Sequence, residues 1–201
     1  MQATRLMFLP GASGNTAFWR PVAERLTHPG ERLHIGWPGF GSTPPDPAVN
    51  GMEDLVARVI AAMDRPTALI AQSMGGVIAM RAALEKPAQV THLVLTATSG
   101  GLDLSGFDVE DWRPALQAEQ PALPPWFAED RQDLSAQLGR ITVPVLLLWG
   151  DADPISPVAV GERLAALLPN ARLHVLAGGE HDLAHVHAAQ AAPLIDAHLG
   201  R

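Results

Sequence analysis

Three kinds of side chain are spaced along this 201-residue chain so that one of each would support acyl chemistry: a serine, an aspartate and a histidine. Ser73 lies in Ala71-Gln72-Ser73-Met74-Gly75-Gly76, after an apolar run at 67–70 and before a helical pattern. A serine at a strand-to-helix corner is lifted clear of the backbone on a strained turn, and small residues two before and two after it let the neighbouring elements close up. Ala71 and Gly75 hold those positions, alanine replacing the usual glycine at the first. A serine hydroxyl is a weak nucleophile near neutral pH, so it needs a base in hydrogen-bond reach and a carboxylate to orient that base. Gly150-Asp151-Ala152-Asp153-Pro154 offers two acids, and Gly178-Gly179-Glu180-His181 offers a histidine on a glycine-rich turn. The order along the chain is serine, acid, histidine.

These residues must be brought together by the elements between them. Short apolar runs at 5–9, 32–36, 67–71, 90–97, 143–149 and 172–177 read as six buried strands, and helical spacing at 16–27, 52–63, 74–85, 157–168 and 181–199 reads as five helices. Such alternation predicts a mostly parallel α/β sheet with helices on both faces. Right-handed crossovers then carry every post-strand loop to one edge, where ligands bind. Residues 100–140 interrupt the pattern with four prolines, four aromatics (Phe107, Trp112, Trp126 and Phe127) and eight acids against three arginines. This segment is expected to be a short lid inserted in one domain spanning 1–201, with its aromatic side toward substrate and its acidic side toward water.

Five motifs in order give the chain a resemblance to the α/β-hydrolase superfamily. Leu9-Pro10-Gly11-Ala12-Ser13-Gly14 resembles the oxyanion loop, Trp37-Pro38-Gly39-Phe40-Gly41-Ser42 the PGxGxS turn, and 71–76 the nucleophile elbow. Trp149-Gly150-Asp151-Ala152-Asp153 resembles the acid loop and Gly179-Glu180-His181 the histidine loop. The resemblance implies a triad of Ser73, Asp153 and His181, because the family's acid stands three residues after the glycine matching Gly150; Asp151 is left as a turn residue. It also implies an oxyanion hole from the backbone N–H groups of Ala12 and of Met74, the residue after the nucleophile at a helix N-terminus. Ser13 and Asn15 are read as shaping that loop and capping the helix after it. Two departures stand out: Pro10 occupies a position where the family often has histidine, and the family's first two strands have no counterpart, which implies an N-terminally truncated sheet.

Other chemistries are weaker. His181-Asp182-Leu183-Ala184-His185 has the two-histidine spacing of a zinc helix, but it lacks that motif's glutamate, and a glycine pair before His181 points to a loop. No metal or cofactor is therefore expected, and the remaining histidines read as structural or exposed. There is no cysteine, which excludes disulfides and thiolate catalysis. A net charge of −7 without a basic cluster argues against nucleic acid and anionic membranes as partners, leaving a small-molecule, ester-like substrate. With no apolar run of membrane-spanning length and no signal-like start, a cytoplasmic location is expected. The expected activity is hydrolysis of a small apolar acyl or aryl ester. The alternatives are related acyl chemistry (thioesterase, amidase, carbon–carbon hydrolase, acyltransferase or perhydrolase) and a non-catalytic binding module. Serine as nucleophile and the absence of tyrosine argue against dehalogenase and epoxide hydrolase chemistry, and the acidic lid argues against coenzyme A thioesters.

Overall fold

The computed structural model describes residues 2–129 and 132–200. Six parallel strands, β1 (Arg5–Leu9), β2 (Glu31–His34), β3 (Thr67–Gln72), β4 (Val90–Thr96), β5 (Val145–Gly150) and β6 (Ala171–Leu176), lie in the order β2-β1-β3-β4-β5-β6. The four inner strands are wholly buried because both their faces are covered, as their mostly apolar runs predict. Successive residues feed opposite cores: Met7 and Leu9 of β1 join one cluster, Leu6 and Phe8 the other. The edge strands β2 and β6 are partly exposed, which corrects the expectation of six buried strands.

Helices α2 (Met52–Ala62), α3 (Met74–Glu85) and α5 (Val158–Leu167) place apolar stripes in the first cluster. The short α1 (Arg20–Ala23), α6 (Leu183–Val186) and α7 (Ala188–Leu199) build the second, on the opposite face. Two helices differ from the sequence reading. Only 20–23 of the expected 16–27 are helical, because Asn15 closes a local turn by accepting the Ala17 N–H at 3.0 Å, and Pro21 sits in the first helical turn. The expected helix over 181–199 begins at Leu183 and breaks at His187 (φ −98°, ψ 33°), leaving His181 in a loop. Apolar spacing continues across that break because both pieces face the same core, so periodicity alone does not reveal it.

Between β4 and β5 the chain forms α4 (Arg113–Glu119) and two 3₁₀ turns, Pro125–Ala128 and Ser135–Arg140. It contains no long helix among its described residues, in line with its proline content. Among the described residues no helix is long and apolar enough to cross a membrane. The strand order reverses between β1 and β3: β1 is followed by α1 on one face and β3 by α3 on the other. The loops after these two strands therefore part and leave a crevice at the C-terminal edge of the sheet, the place where open α/β sheets bind ligands.

Candidate active site

Ser73 occupies that crevice between β3 and α3, with φ 52° and ψ −121°. A non-glycine residue in this region stores about 1–3 kcal/mol of backbone strain, so its surroundings must hold it there. They do so on three sides. The Ser73 N–H donates to Thr96 O at 3.0 Å, while Ser73 O accepts from the Thr98 hydroxyl at 2.6 Å and from the Gly76 N–H at 2.9 Å. Ala97, between the two threonines, itself has φ 47°, a bend that turns Thr98 back beneath the elbow. Gly75 is required by close approach: a Cβ there would stand 2.6 Å from Pro10 O and 2.7 Å from Leu9 O. Ala71 is wholly buried in the core, so the methyl group that replaces the usual glycine hydrogen is accommodated.

The loop after β1 is fixed by two indoles. Trp19 Nε1 donates to Leu9 O at 3.0 Å and Trp37 Nε1 to Pro10 O at 2.9 Å. Among the described residues, no turn, loop or side-chain bond engages the backbone N–H of Ala12 or Met74. Met74 opens α3, where first-turn N–H groups have no intrahelical partner and the helix dipole favours negative charge. Ser13 and Asn15 bond within their own loop, the Asn15 N–H reaching Ser13 Oγ at 3.4 Å, which accords with a shaping role.

Asp153 is 4% exposed. Its Oδ1 accepts the N–H groups of Ile155 at 2.9 Å and Ser156 at 3.1 Å, which leaves Oδ2 at 2.9 Å from His181 Nδ1. A buried carboxylate with fixed donors to one oxygen holds an imidazole in one tautomer and orientation. Asp151 points elsewhere: its Oδ1 accepts the Gly178 N–H at 2.6 Å and ties the loop after β5 to the loop after β6. Ser156 also links the acid loop to the elbow support, its hydroxyl donating to Thr98 O at 3.3 Å.

Ser73 and His181 line one cavity of about 450 Å³. Met52, Leu102, Val109, Trp112 and Phe127 give it apolar walls, and Asp103, Glu110, Asp111 and Arg113 line its polar parts. Arg113 lies over the Trp112 ring at 5.1 Å and pairs with Asp111 at 3.1 Å. Phe40 anchors this wall from below, its ring centroid 5.6 Å from that of Phe127 and 5.7 Å from that of Trp126. His185 lies outside the cavity with Nδ1 against Phe18 O at 2.8 Å, and no group of three His, Asp or Glu residues among those described is placed to hold a metal. The sequence reading did not single out Gln72, Thr98 or Ser156. Their bonds join loops far apart in the chain, and no local pattern marks them.

A family model described as "Alpha/beta hydrolase family" matches residues 6–136, and a second, "alpha/beta hydrolase fold", matches 117–188. The chain belongs to the α/β-hydrolase family. It is 27% identical over 97% of its length to part of the polyketide synthase ThaQ of Burkholderia thailandensis, but spans only 12% of that much longer protein. It is 25% identical to a pimeloyl-[acyl-carrier protein] methyl ester esterase of Photobacterium profundum, over 90% of this chain and 88% of that one. Among solved structures, the meta-cleavage product hydrolase CumD of Pseudomonas fluorescens IP01 superposes with a TM-score of 0.78 at 19% identity, covering 100% of this chain and 92% of its own, a likeness of fold.

Proposed function

We propose that this protein is a serine hydrolase that cleaves carboxylic esters of small apolar acyl or aryl groups through Ser73, His181 and Asp153. The observation that carries this reading is the Asp153–His181 contact at 2.9 Å beside a cavity that His181 shares with Ser73. Ser73 Oγ attacks the acyl carbon and His181 Nε2 takes its proton; the collapsing tetrahedral intermediate expels the alcohol, which leaves with that proton. Water, deprotonated by His181, then attacks the acyl-enzyme and releases the acid and free Ser73. The N–H groups of Ala12 and Met74 stabilise the oxyanion at each tetrahedral stage, each donor typically contributing a few kcal/mol.

Residues 100–140 act as the lid in this reading. The aromatic wall of Trp112 and Phe127 favours an apolar acyl or aryl group, and the cavity volume of about 450 Å³ suits a small substrate. Esterase chemistry has support from the methyl ester esterase among the relatives. The test is incubation with a fluorophosphonate probe and with p-nitrophenyl acetate, butyrate and octanoate, using Ser73→Ala as control. Labelling and turnover that both vanish in Ser73→Ala are expected. A folded protein that neither labels nor turns over would favour a binding module instead.

A further inference from the structure

We infer that Gln72 is a positioning residue for catalysis, a clamp that sets the spacing between the histidine loop and the loop proposed to bind the oxyanion. This inference rests on the serine-hydrolase reading. Gln72 immediately precedes Ser73 and is only 5% exposed, so its amide has few ways to move. Its Nε2 donates to the backbone carbonyl of His181 at 3.3 Å. Its Oε1 occupies the space a side chain at position 11 would need: a Cβ at Gly11 would stand 2.3 Å from that oxygen and 3.1 Å from Ser73 Cβ. One short side chain thus spans the three loops that carry the nucleophile, the base and the residue before Ala12.

The amide faces away from the cavity walls that Ser73 and His181 form. The cavity shared by Ser73 and His181 is not lined by Gln72, which lines instead a separate cleft of about 340 Å³ on another side of His181, with Ser13 and Asn15. Gln72 therefore acts through the groups it holds. Asp151 and the Ala152 N–H tie Gly178 and Gly179 of the histidine loop to the acid loop, and Asp153 orients the imidazole through Nδ1; the Gln72 bond adds a restraint at the His181 carbonyl itself. Proton transfer from Ser73 depends steeply on distance, and a misplacement of about 1 Å can lower rates by as much as 100-fold. The clamp also accounts for glycine at position 11, since any side chain there would displace the Gln72 carbonyl oxygen.

The experiment compares wild type, Gln72→Met, Gly11→Ala and the double variant on p-nitrophenyl butyrate, together with fluorophosphonate labelling rates and thermal melting. Gln72→Met keeps the length of the side chain and loses the hydrogen bond to the His181 carbonyl. It is expected to lower kcat about tenfold with KM within about twofold, and to slow labelling by the same factor. Gly11→Ala is expected to reproduce that loss, and the double variant to be little worse than either single one, because both act on the same contact. Should Gln72→Met fail to fold, Gln72→Glu retains the shape and sets an acceptor against the His181 carbonyl, with the same loss of kcat expected. A folded Gln72 variant with kcat within twofold of wild type overturns the inference, as do losses that multiply in the double variant. Wild-type protein inert to ester and probe alike removes the hydrolase reading, and this inference with it.

Discussion

At the scale of single residues, the two aspartates of the acid loop separate a chemical role from a structural one. Asp153 is buried, braced by two backbone N–H groups and set against His181, whereas Asp151 is exposed and its carboxylate accepts the Gly178 N–H. Replacing the oriented acid by its amide leaves the packing nearly unchanged but permits the wrong histidine tautomer, a change that lowers kcat by about 10⁴ in the best-studied triad. Asp153→Asn is therefore expected to lower kcat on a p-nitrophenyl ester by about 10²–10⁴. Asp151→Asn keeps an acceptor for Gly178 and should stay within about threefold of wild type. Steady-state kinetics of the two variants decides this; equal losses would mean that the acid is assigned to the wrong residue. The residues alone left both aspartates open, and the family resemblance implied Asp153 through its place three residues after Gly150. In the structure the two differ in burial and in the direction of each carboxylate, which the sequence does not express.

At the scale of elements, the elbow and the cavity wall depend on contacts between loops distant in sequence. Thr98 donates to Ser73 O and accepts from the Gly100 N–H, so Thr98→Val removes both bonds inside a buried site while nearly preserving volume. A loss of about 1–3 kcal/mol in stability is expected from urea denaturation, with a fall in kcat as the strained elbow relaxes. Unchanged stability and kcat would show that Ser73 keeps its conformation without Thr98. On the opposite side of the cavity, Trp112 meets Phe127 at 5.9 Å between ring centroids. Trp112→Ala should enlarge the acyl space and shift preference from butyrate toward octanoate, read as the ratio of kcat/KM values; an unchanged ratio would place the acyl group elsewhere.

The same elements show why part of the molecule was legible beforehand. The inner strands are short, mostly apolar runs, and the loops that follow them carry their own recognisable residues. Thr98 and Gln72 follow no pattern, because a side chain that bonds to backbone some 25 or 109 residues away leaves no local trace. The shortened α1 and the break at His187 were hidden for a related reason. Apolar spacing reports which face is buried, and that face continues through both irregularities.

At the scale of the whole molecule, the sheet has a polar inclusion far from the candidate site. His92 of β4 is 3% exposed, and neither of its ring nitrogens has a hydrogen-bond partner among the described residues. Its ring meets His198 of α7 edge-on at 5.2 Å. Burial is the largest cause that pushes its pKa below the ordinary histidine value. His34, stacked on Phe8 at 4.7 Å, is shifted the same way by burial and by Arg20. A folded-state pKa below the unfolded one means that the unfolded chain takes up the proton first as pH falls. The stability these groups contribute is fully present above the unfolded histidine pKa of about 6.5 and declines as pH falls below it. The urea midpoint is thus expected to drop between pH 7.5 and pH 5. The wild-type profile alone does not assign that drop to one residue. His92→Leu fills the same buried space without a titrating group and should show a smaller drop over the same interval; an equal drop in the variant would mean that His92 does not couple protonation to folding.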